Sequence, residues 1–210
     1  MAATSRIPSF TAPETQPTMG LRERKKLKTR VAIRQATYRL IQEQGYDATT
    51  IEQIAEAAEV SPSTVFRYFA TKEDIVLTDE YDPVLEAMLR DRPLDEPPLE
   101  SVRLMIREAL TTVLTAEDEE LRQRTRLMAE VPAVRARLTE SMSDTGKVLS
   151  QVLADRTGGS PDDLRIRVFV AAVLSSVREV TLYWSEHGQE GDLRAMLDRA
   201  MDTLESGLRL

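Results

Sequence analysis

No part of this chain is more constrained than Ser61–Phe69, SPSTVFRYF. Ser61 suits a helix cap, and Pro62 suits the first helical position, where its missing N–H would be unpaired in any residue. At 3.6 residues per turn, Pro62, Val65, Phe66 and Phe69 share one side of this short helix, while Ser63, Thr64, Arg67 and Tyr68 share the other. The first side is expected to pack into a core. The second is small, hydroxyl-rich and carries one guanidinium and one phenol, a surface suited to close approach to a DNA major groove and its phosphates. An ordinary polar helix surface is the alternative, and the flanking sequence decides between them.

Upstream, Ile33, Ala36, Leu40 and Ile41 recur at helical spacing from about Leu21 onward, and Gly45 ends that helix. Thr49 and Thr50, followed three residues later by Glu52 and Gln53, carry the signature of a capping box. Ile51, Ile54, Ala55 and Ala58 supply the buried face of a second, short helix, and Glu59–Val60 turns the chain into Ser61. Downstream, Thr71 with Asp74 caps a fourth helix that starts at Lys72 and sets its ammonium beside the Ser61 helix, which makes Lys72 a candidate phosphate contact. Two short helices joined by a tight turn behind a longer basic helix form a helix-turn-helix module.

Charge supports this reading once it is divided along the chain. The net charge is −7, but residues 1–80 hold 11 basic and 11 acidic residues, leaving 28 − 11 = 17 against 35 − 11 = 24 for the rest. Between Leu21 and Ile41 stand Arg22, Arg24, Lys25, Lys26, Lys28, Arg30, Arg34 and Arg39 against Glu23 alone. A local basic block can meet phosphates while an acidic remainder keeps the chain soluble. The chain has no cysteine and a single histidine, His187, which removes disulfides, thiolate metal sites and histidine clusters. His187 beside Gly188 reads as a helix end. No cofactor or metal is expected. No apolar run approaches the roughly 20 residues that span a bilayer, and residues 1–20 lack the apolar core of a signal peptide, so a cytoplasmic protein is expected with no membrane partner.

From Ile33 to Leu77, and above all in LIQEQGYDATTIEQIAEAAEVSPSTVFRYFATKEDIVL, the chain resembles the DNA-binding domain of the TetR family of bacterial transcription regulators. Gly45-Tyr46, Thr49-Thr50, Ile54-Ala55, Val60-Ser61, Thr64-Val65-Phe66, Tyr68-Phe69 and Lys72-Glu73 each stand where that family has them. The resemblance implies an all-α fold: an N-terminal three-helix helix-turn-helix domain joined to a C-terminal helical ligand-binding and dimerisation bundle. It implies three regions: a flexible tail over 1–20, the DNA-binding domain over 21–70 and an effector-binding and dimerisation domain over 71–210. It also implies a homodimer on a double-stranded palindromic operator, most often a repressor. Contacts from the start of helix one, the start of helix two, helix three and the start of helix four carry over to Arg30, Thr50, Ser61, Ser63, Thr64, Arg67, Tyr68 and Lys72. Thr50 would hold a phosphate at a helix N-terminus, and Arg67 is the best fitted to bridge O6 and N7 of a guanine.

The remainder is read from pattern. Pro83 is expected to end or kink helix four, and RPLDEPP at 92–98 is a proline-blocked loop. Further helices are expected from about Leu99 to Thr115 (with Val102, Met105, Ile106, Ala109, Leu110 and Val113 as its stripe), from the acidic run Glu117–Glu120 to Val131-Pro132, and from about Ala133 to Ala154 before Gly158-Gly159. Ser160-Pro161 is expected to cap a helix that runs to about Glu186 and is apolar on more than one face, and the last helix spans about Asp192 to Leu208. In a TetR-like chain the last two helices pair with their copies, which puts Val168, Ala172, Leu193, Leu197, Met201 and Leu204 in a dimer interface, with an intramolecular core as the alternative. A middle cavity for a small apolar effector would draw on Met105, Met128, Met142, Tyr183 and Trp184, and plain core packing is at least as good a reading for each. RLMAEVPAVRARL, Arg126 to Leu138, is similar to regulators of mycofactocin systems, which implies an acyl or acyl-CoA-like effector.

An enzyme would require a nucleophile, an acid–base pair or a metal-ligand set, and the sequence holds no such constellation. A small-molecule carrier without DNA binding is the other alternative, and it has no use for the cations of Arg22–Arg39 beside an exposed hydroxyl-rich helix.

Overall fold

The computed structural model describes residues 20–78, 82–112 and 119–209. The expectations for the tail before Gly20, for Val113 and Thr115, and for Glu117 and Asp118 fall outside the described residues.

Among the described residues the chain is all-α, with ten helices in the order α1 (Leu21–Gln44), α2 (Ile51–Ala57), α3 (Pro62–Tyr68), α4 (Lys72–Leu77), α5 (Asp82–Arg90), α6 (Pro98–Thr112), α7 (Glu119–Glu130), α8 (Pro132–Thr157), α9 (Leu164–Glu186) and α10 (Leu193–Glu205). Short-range chemistry sets most of these ends. Gly45 follows α1 at φ 86°, a backbone angle that disfavours side chains with a Cβ, and its N–H is donated to the Ile41 carbonyl. Thr50 and Gln53 form the expected capping box of α2, whereas the neighbouring Thr49 is buried and donates to the Gly45 carbonyl at 2.8 Å. Thr71 and Asp74 do the same for α4, and Gly158 closes α8 in the left-handed region.

Two expected boundaries are corrected. Pro83 does not end α4, which stops at Leu77; it is the second residue of the separate helix α5, where a proline lacks no helical hydrogen bond. Ser160-Pro161 does not start α9 either. The Ser160 hydroxyl accepts from the Asp162 N–H in a turn, and Asp163 caps α9 by accepting from the Arg165 N–H at 2.8 Å.

Four buried clusters hold the helices together. Ile33 of α1, Ile54 and Ala55 of α2, Val65 of α3 with its C-cap Phe69, and Ile75 of α4 form the first. Tyr38 and Ile41 of α1 join Val76 and Leu77 of α4, Leu127 and Met128 of α7, Val134 of α8 and Leu182 of α9 in the second. The short helix α4 therefore belongs to both, with Ile75 turned to one and its next two residues to the other. Farther along the chain, Leu89, Val102, Met105, Val152 and Val173 bring α5, α6, α8 and α9 together, and Leu110, Trp184, Leu193 and Leu197 bring α10 onto α6 and α9. Arg103, buried at 7% exposure, fastens α6 to α10 through Asp202 at 2.5 Å and Glu205 at 2.8 Å. No helix among the described residues is long and apolar enough to cross a membrane.

Candidate nucleic-acid interface

The entry helix α1 divides in the middle. Its buried residues all lie from Ile33 onward, while Leu21, Arg22, Glu23, Arg24, Lys25, Lys26 and Lys28 are exposed. Five cations thus stand in solvent on the first two turns and a half, with a single carboxylate among them. Such a surface attracts a polyanion by mass charge rather than by fitted contacts. Arg30 lies where the helix goes under cover: its guanidinium sits 5.5 Å from the centre of the Phe69 ring, and Nε is buried with no hydrogen-bond partner among the described residues.

The turn between α2 and α3 is made by Glu59, at φ 55°, a conformation that costs a non-glycine residue about 1 kcal/mol. It delivers the chain to Ser61, whose Oγ accepts from the Thr64 N–H at 3.2 Å and lies 2.8 Å from the Ser63 hydroxyl and 2.9 Å from that of Thr64. The Ser61 hydroxyl is therefore bonded to the hydroxyls of both Ser63 and Thr64 at the head of α3, and Ser61 and Ser63 are exposed. Val65 and Phe69 anchor the helix from beneath, at 0% and 3% exposure. Tyr68 is only half exposed and rests against the same cluster, with the exposed Arg67 guanidinium 5.3 Å from its ring centre.

Phe66 departs from expectation. It was assigned to the packed side with Val65 and Phe69, yet it is 56% exposed. The helix is only seven residues long, and Phe66 lies at the edge of the apolar arc, one step from Ser63 and Arg67. The cluster beneath is filled by Val65 and Phe69, so Phe66 falls to the outside. The most exposed arc of α3 is Pro62, Ser63, Phe66 and Arg67, turned by about one residue from the expected arc of Ser63, Thr64, Arg67 and Tyr68.

Lys72 is more committed than a free phosphate ligand would be. Its ammonium donates to the Tyr46 carbonyl at 2.7 Å and the Thr49 carbonyl at 2.9 Å, and lies 3.9 Å from the centre of the Tyr46 ring. It ties the α1–α2 connection to α4, with at most one N–H left for a phosphate. Beside it the Tyr46 hydroxyl donates to Glu73. Burial alone would raise the Glu73 carboxyl, but that hydrogen bond, with the backbone, Thr71 and Lys72, holds it below its ordinary value, while burial and Glu73 push the Tyr46 hydroxyl up. Replacing Lys72 by Ala is therefore expected to cost about 1–3 kcal/mol, by leaving two part-buried carbonyls unmet, and to lower the melting temperature by roughly 5 °C. An unchanged melting curve with weakened DNA binding would make Lys72 a phosphate ligand first and a fastener second.

Sequence reasoning missed the joints between this module and the later helices, because their partners lie far apart in the chain. Arg137 of α8 donates to Asp74 of α4 at 2.7 Å, the same Asp74 that caps α4. Arg124 of α7 donates to the Leu77 carbonyl, Gln123 donates to the Tyr38 carbonyl at 2.7 Å, and Arg34 of α1 pairs with Glu120 of α7 at 2.5 Å. Glu120, in the acidic run expected to open a helix, thus has a cation partner.

The residues assigned to an effector cavity do not meet. Met105, Met128 and Trp184 sit in three different buried clusters, and Tyr183 is 50% exposed, its ring stacked 3.9 Å from that of His187. Met142 alone of the five lines a described cavity, an open cleft of about 670 Å³ between α8 and α9 that also takes in Thr139, Gly146, Val170 and Leu174. Met105, Met128 and Trp184 each fill space between helices that their own chain provides. The interface assignment divides in the same way. Leu193, Leu197 and Met201 are 3%, 5% and 1% exposed, so these three are corrected to an intramolecular core. Val168 is 58% exposed, and Ala172 and Leu204 border a smaller cavity of about 290 Å³ with Leu99, Phe169 and Leu208.

Residues 33–78 match the family model of bacterial regulatory proteins of the tetR family, and residues 96–209 match that of the MftR C-terminal domain. The chain is 34% identical to the HTH-type transcriptional regulator TcmR of Streptomyces glaucescens over 200 residues, covering 90% of this chain and 88% of that protein. It is 24% identical to the fatty acid metabolism regulator protein of Bacillus subtilis over 180 residues, 82% of this chain and 92% of that one. Among solved structures, the transcriptional regulator FadR from Bacillus subtilis in complex with stearoyl-CoA superposes with a TM-score of 0.59 at 23% identity, covering 85% of this chain and 99% of the other.

Proposed function

The chain belongs to the TetR family of bacterial regulatory proteins, and from that premise we propose that it is a repressor that binds a palindromic operator as a homodimer and lets go when a small apolar effector is bound. It is a transcriptional regulator and not an enzyme. The observation that carries the proposal is the surface at the head of α3. The Ser61 hydroxyl, bonded to those of Ser63 and Thr64, and an exposed guanidinium stand on a helix anchored by Val65 and Phe69, with the exposed cations of α1 in the same module. In this reading Ser61, Ser63, Thr64 and Arg67 meet the groove, and Arg30, Thr50, Tyr68 and Lys72 set the backbone, within a module over 21–70 served by a larger effector and dimerisation region over 71–210.

Release requires that the effector region and the reading head share an element with two arrangements. Helix α4 fits that part, because Ile75 packs with α1–α3, Val76 and Leu77 pack with α7–α9, and Arg137 holds its N-terminal cap. An acyl-CoA is the first effector to try, since the Bacillus subtilis structure holds one and the C-terminal match is to an MftR domain.

The test is a fluorescence-anisotropy titration against the DNA upstream of the protein's own gene, with a random duplex as control, at two salt concentrations. Specific binding is expected to weaken by on the order of a thousandfold between about 50 and 200 mM salt, if six or more phosphates are neutralised across the dimer. Equal, weak affinity for both duplexes would favour a carrier without specific DNA binding.

A further inference from the structure

The turn between α9 and α10 is exposed at Gly188, Glu190 and Gly191, yet Gln189 within it is buried at 7% exposure. Its backbone stands at φ 58°, between Gly188 at 71° and Gly191 at 82°, a left-handed conformation unfavourable to a residue with a Cβ, and its side chain is turned inward onto α7. Both polar atoms of the Gln189 amide are used there: Nε2 donates to the Arg122 carbonyl at 2.6 Å and to the Thr125 hydroxyl at 2.8 Å, and Oε1 accepts from the Arg126 guanidinium at 3.5 Å. The Gln189 carbonyl accepts from the Arg122 guanidinium at 3.2 Å, and that guanidinium lies 5.3 Å from the ring centre of Trp184, which is 1% exposed.

Arg122, Thr125 and Arg126 stand on one side of α7, and Glu120, Gln123, Arg124, Leu127 and Met128 stand about half a turn away. The second set holds α1 and α4, through Arg34, the Tyr38 and Leu77 carbonyls, and the cluster of Tyr38, Ile41, Val76 and Leu77. Helix α7 is thus gripped on opposite sides, by the α9–α10 turn and by the module that carries α3. The three residues toward the turn are polar, so directional hydrogen bonds set the seat on that side, and these are lost over a small displacement that apolar packing would tolerate. We propose that Gln189 is a positioning residue for operator binding: by seating α7 on the α9–α10 turn, it fixes where α1 and α4, and with them α3, stand relative to the rest of the chain. The inference rests on operator binding by a dimer, in which the separation of two reading helices has to match that of two half-sites. A random duplex makes no such demand, since phosphates are offered at every register. Gln189 therefore acts on specific affinity without touching DNA.

The chain has one tryptophan, so Trp184 emission reports this joint alone. Saturating the full-length wild type with an operator selected from random duplexes is expected to change that emission, and a random duplex to leave it as it was. Gln189→Ala should bind the operator on the order of tenfold more weakly, bind a random duplex as the wild type does, and lose the emission response. Its melt should remain cooperative, lowered by roughly 5 °C. Gln189→Met, which keeps the volume and removes the hydrogen bonds, should match Gln189→Ala. Gln123→Ala cuts a hydrogen bond on the other side of α7, and combined with Gln189→Ala it should lose less operator affinity than the product of the two single losses, because both act through one helix. Wild-type emission that the operator does not change overturns the proposal, and that measurement needs no variant to fold. Wild-type operator affinity in Gln189→Ala, an equal loss on both duplexes, or single losses that multiply also overturn it. A selection that yields no sequence preference is a different outcome: it removes the operator reading itself, and this proposal with it.

Discussion

Replacing Leu197 by Asp is expected to unfold the protein, not to divide a dimer into folded subunits. Leu197 is 5% exposed and packs with Leu110, Trp184 and Leu193, so the new carboxylate would be buried among apolar groups of its own chain. Losing the leucine alone costs about 3–5 kcal/mol, and burying a carboxylate without a partner adds several more. Since a folded chain is stable by only about 5–15 kcal/mol, little or none would remain. Thermal unfolding followed by circular dichroism should show a transition lowered by tens of degrees or lost. A cooperative melt near the wild-type temperature, with light scattering at the monomer mass, would return Leu197 to the interface. Val168→Asp is the control: at 58% exposure it should leave the melt intact and act on self-association alone.

The reason for that contrast also marks how far the sequence could be read. Steps of three and four along α10 say that Leu193, Leu197, Met201 and Leu204 share a face, and the structure keeps them on one; periodicity does not say whether the wall they face belongs to the same chain. Local signals fared better. Gly45, Thr50 with Gln53, Ser61-Pro62, Thr71 with Asp74 and Gly158 act within one turn of themselves, and each sits at the helix end its chemistry requires. Ser160-Pro161 misled because a serine before a proline fits a turn as well as a cap, and Asp163, three residues on, offered the better acceptor.

In the candidate site, the hydroxyls and Arg67 were legible because a short helix must show some of its residues to solvent. Phe66 was not, because on seven residues the boundary between the two faces is a matter of one position, and only the volume already filled by Val65 and Phe69 decides it. Nor were the partners that hold Lys72 within the chain: the carbonyls of Tyr46 and Thr49 are 26 and 23 residues away, beyond any pattern in the sequence. The joints of Arg137 to Asp74 and Arg34 to Glu120 were invisible for the same reason.

Arg67→Ala is expected to abolish sequence preference while leaving the fold untouched. Arg67 is exposed in the last turn of α3, and its one described contact is the Tyr68 ring at 5.3 Å, so its removal takes nothing from the core. A guanidinium bridging O6 and N7 of guanine is worth about 1–3 kcal/mol, and a dimer makes the contact twice, so specific affinity should fall by roughly 30-fold to 10,000-fold. Affinity for a random duplex should fall far less, since it depends on the sum of the phosphate contacts, to which the exposed cations of α1 contribute. Arg67→Lys separates the two roles that a cation can have here. An ammonium keeps the charge and loses the planar fork, so a base reader stays impaired by this change whereas a phosphate contact is largely restored. Recovery in Arg67→Lys, or an equal loss on selected and random duplexes in Arg67→Ala, would assign Arg67 to the backbone and leave base readout to the other side chains of α3.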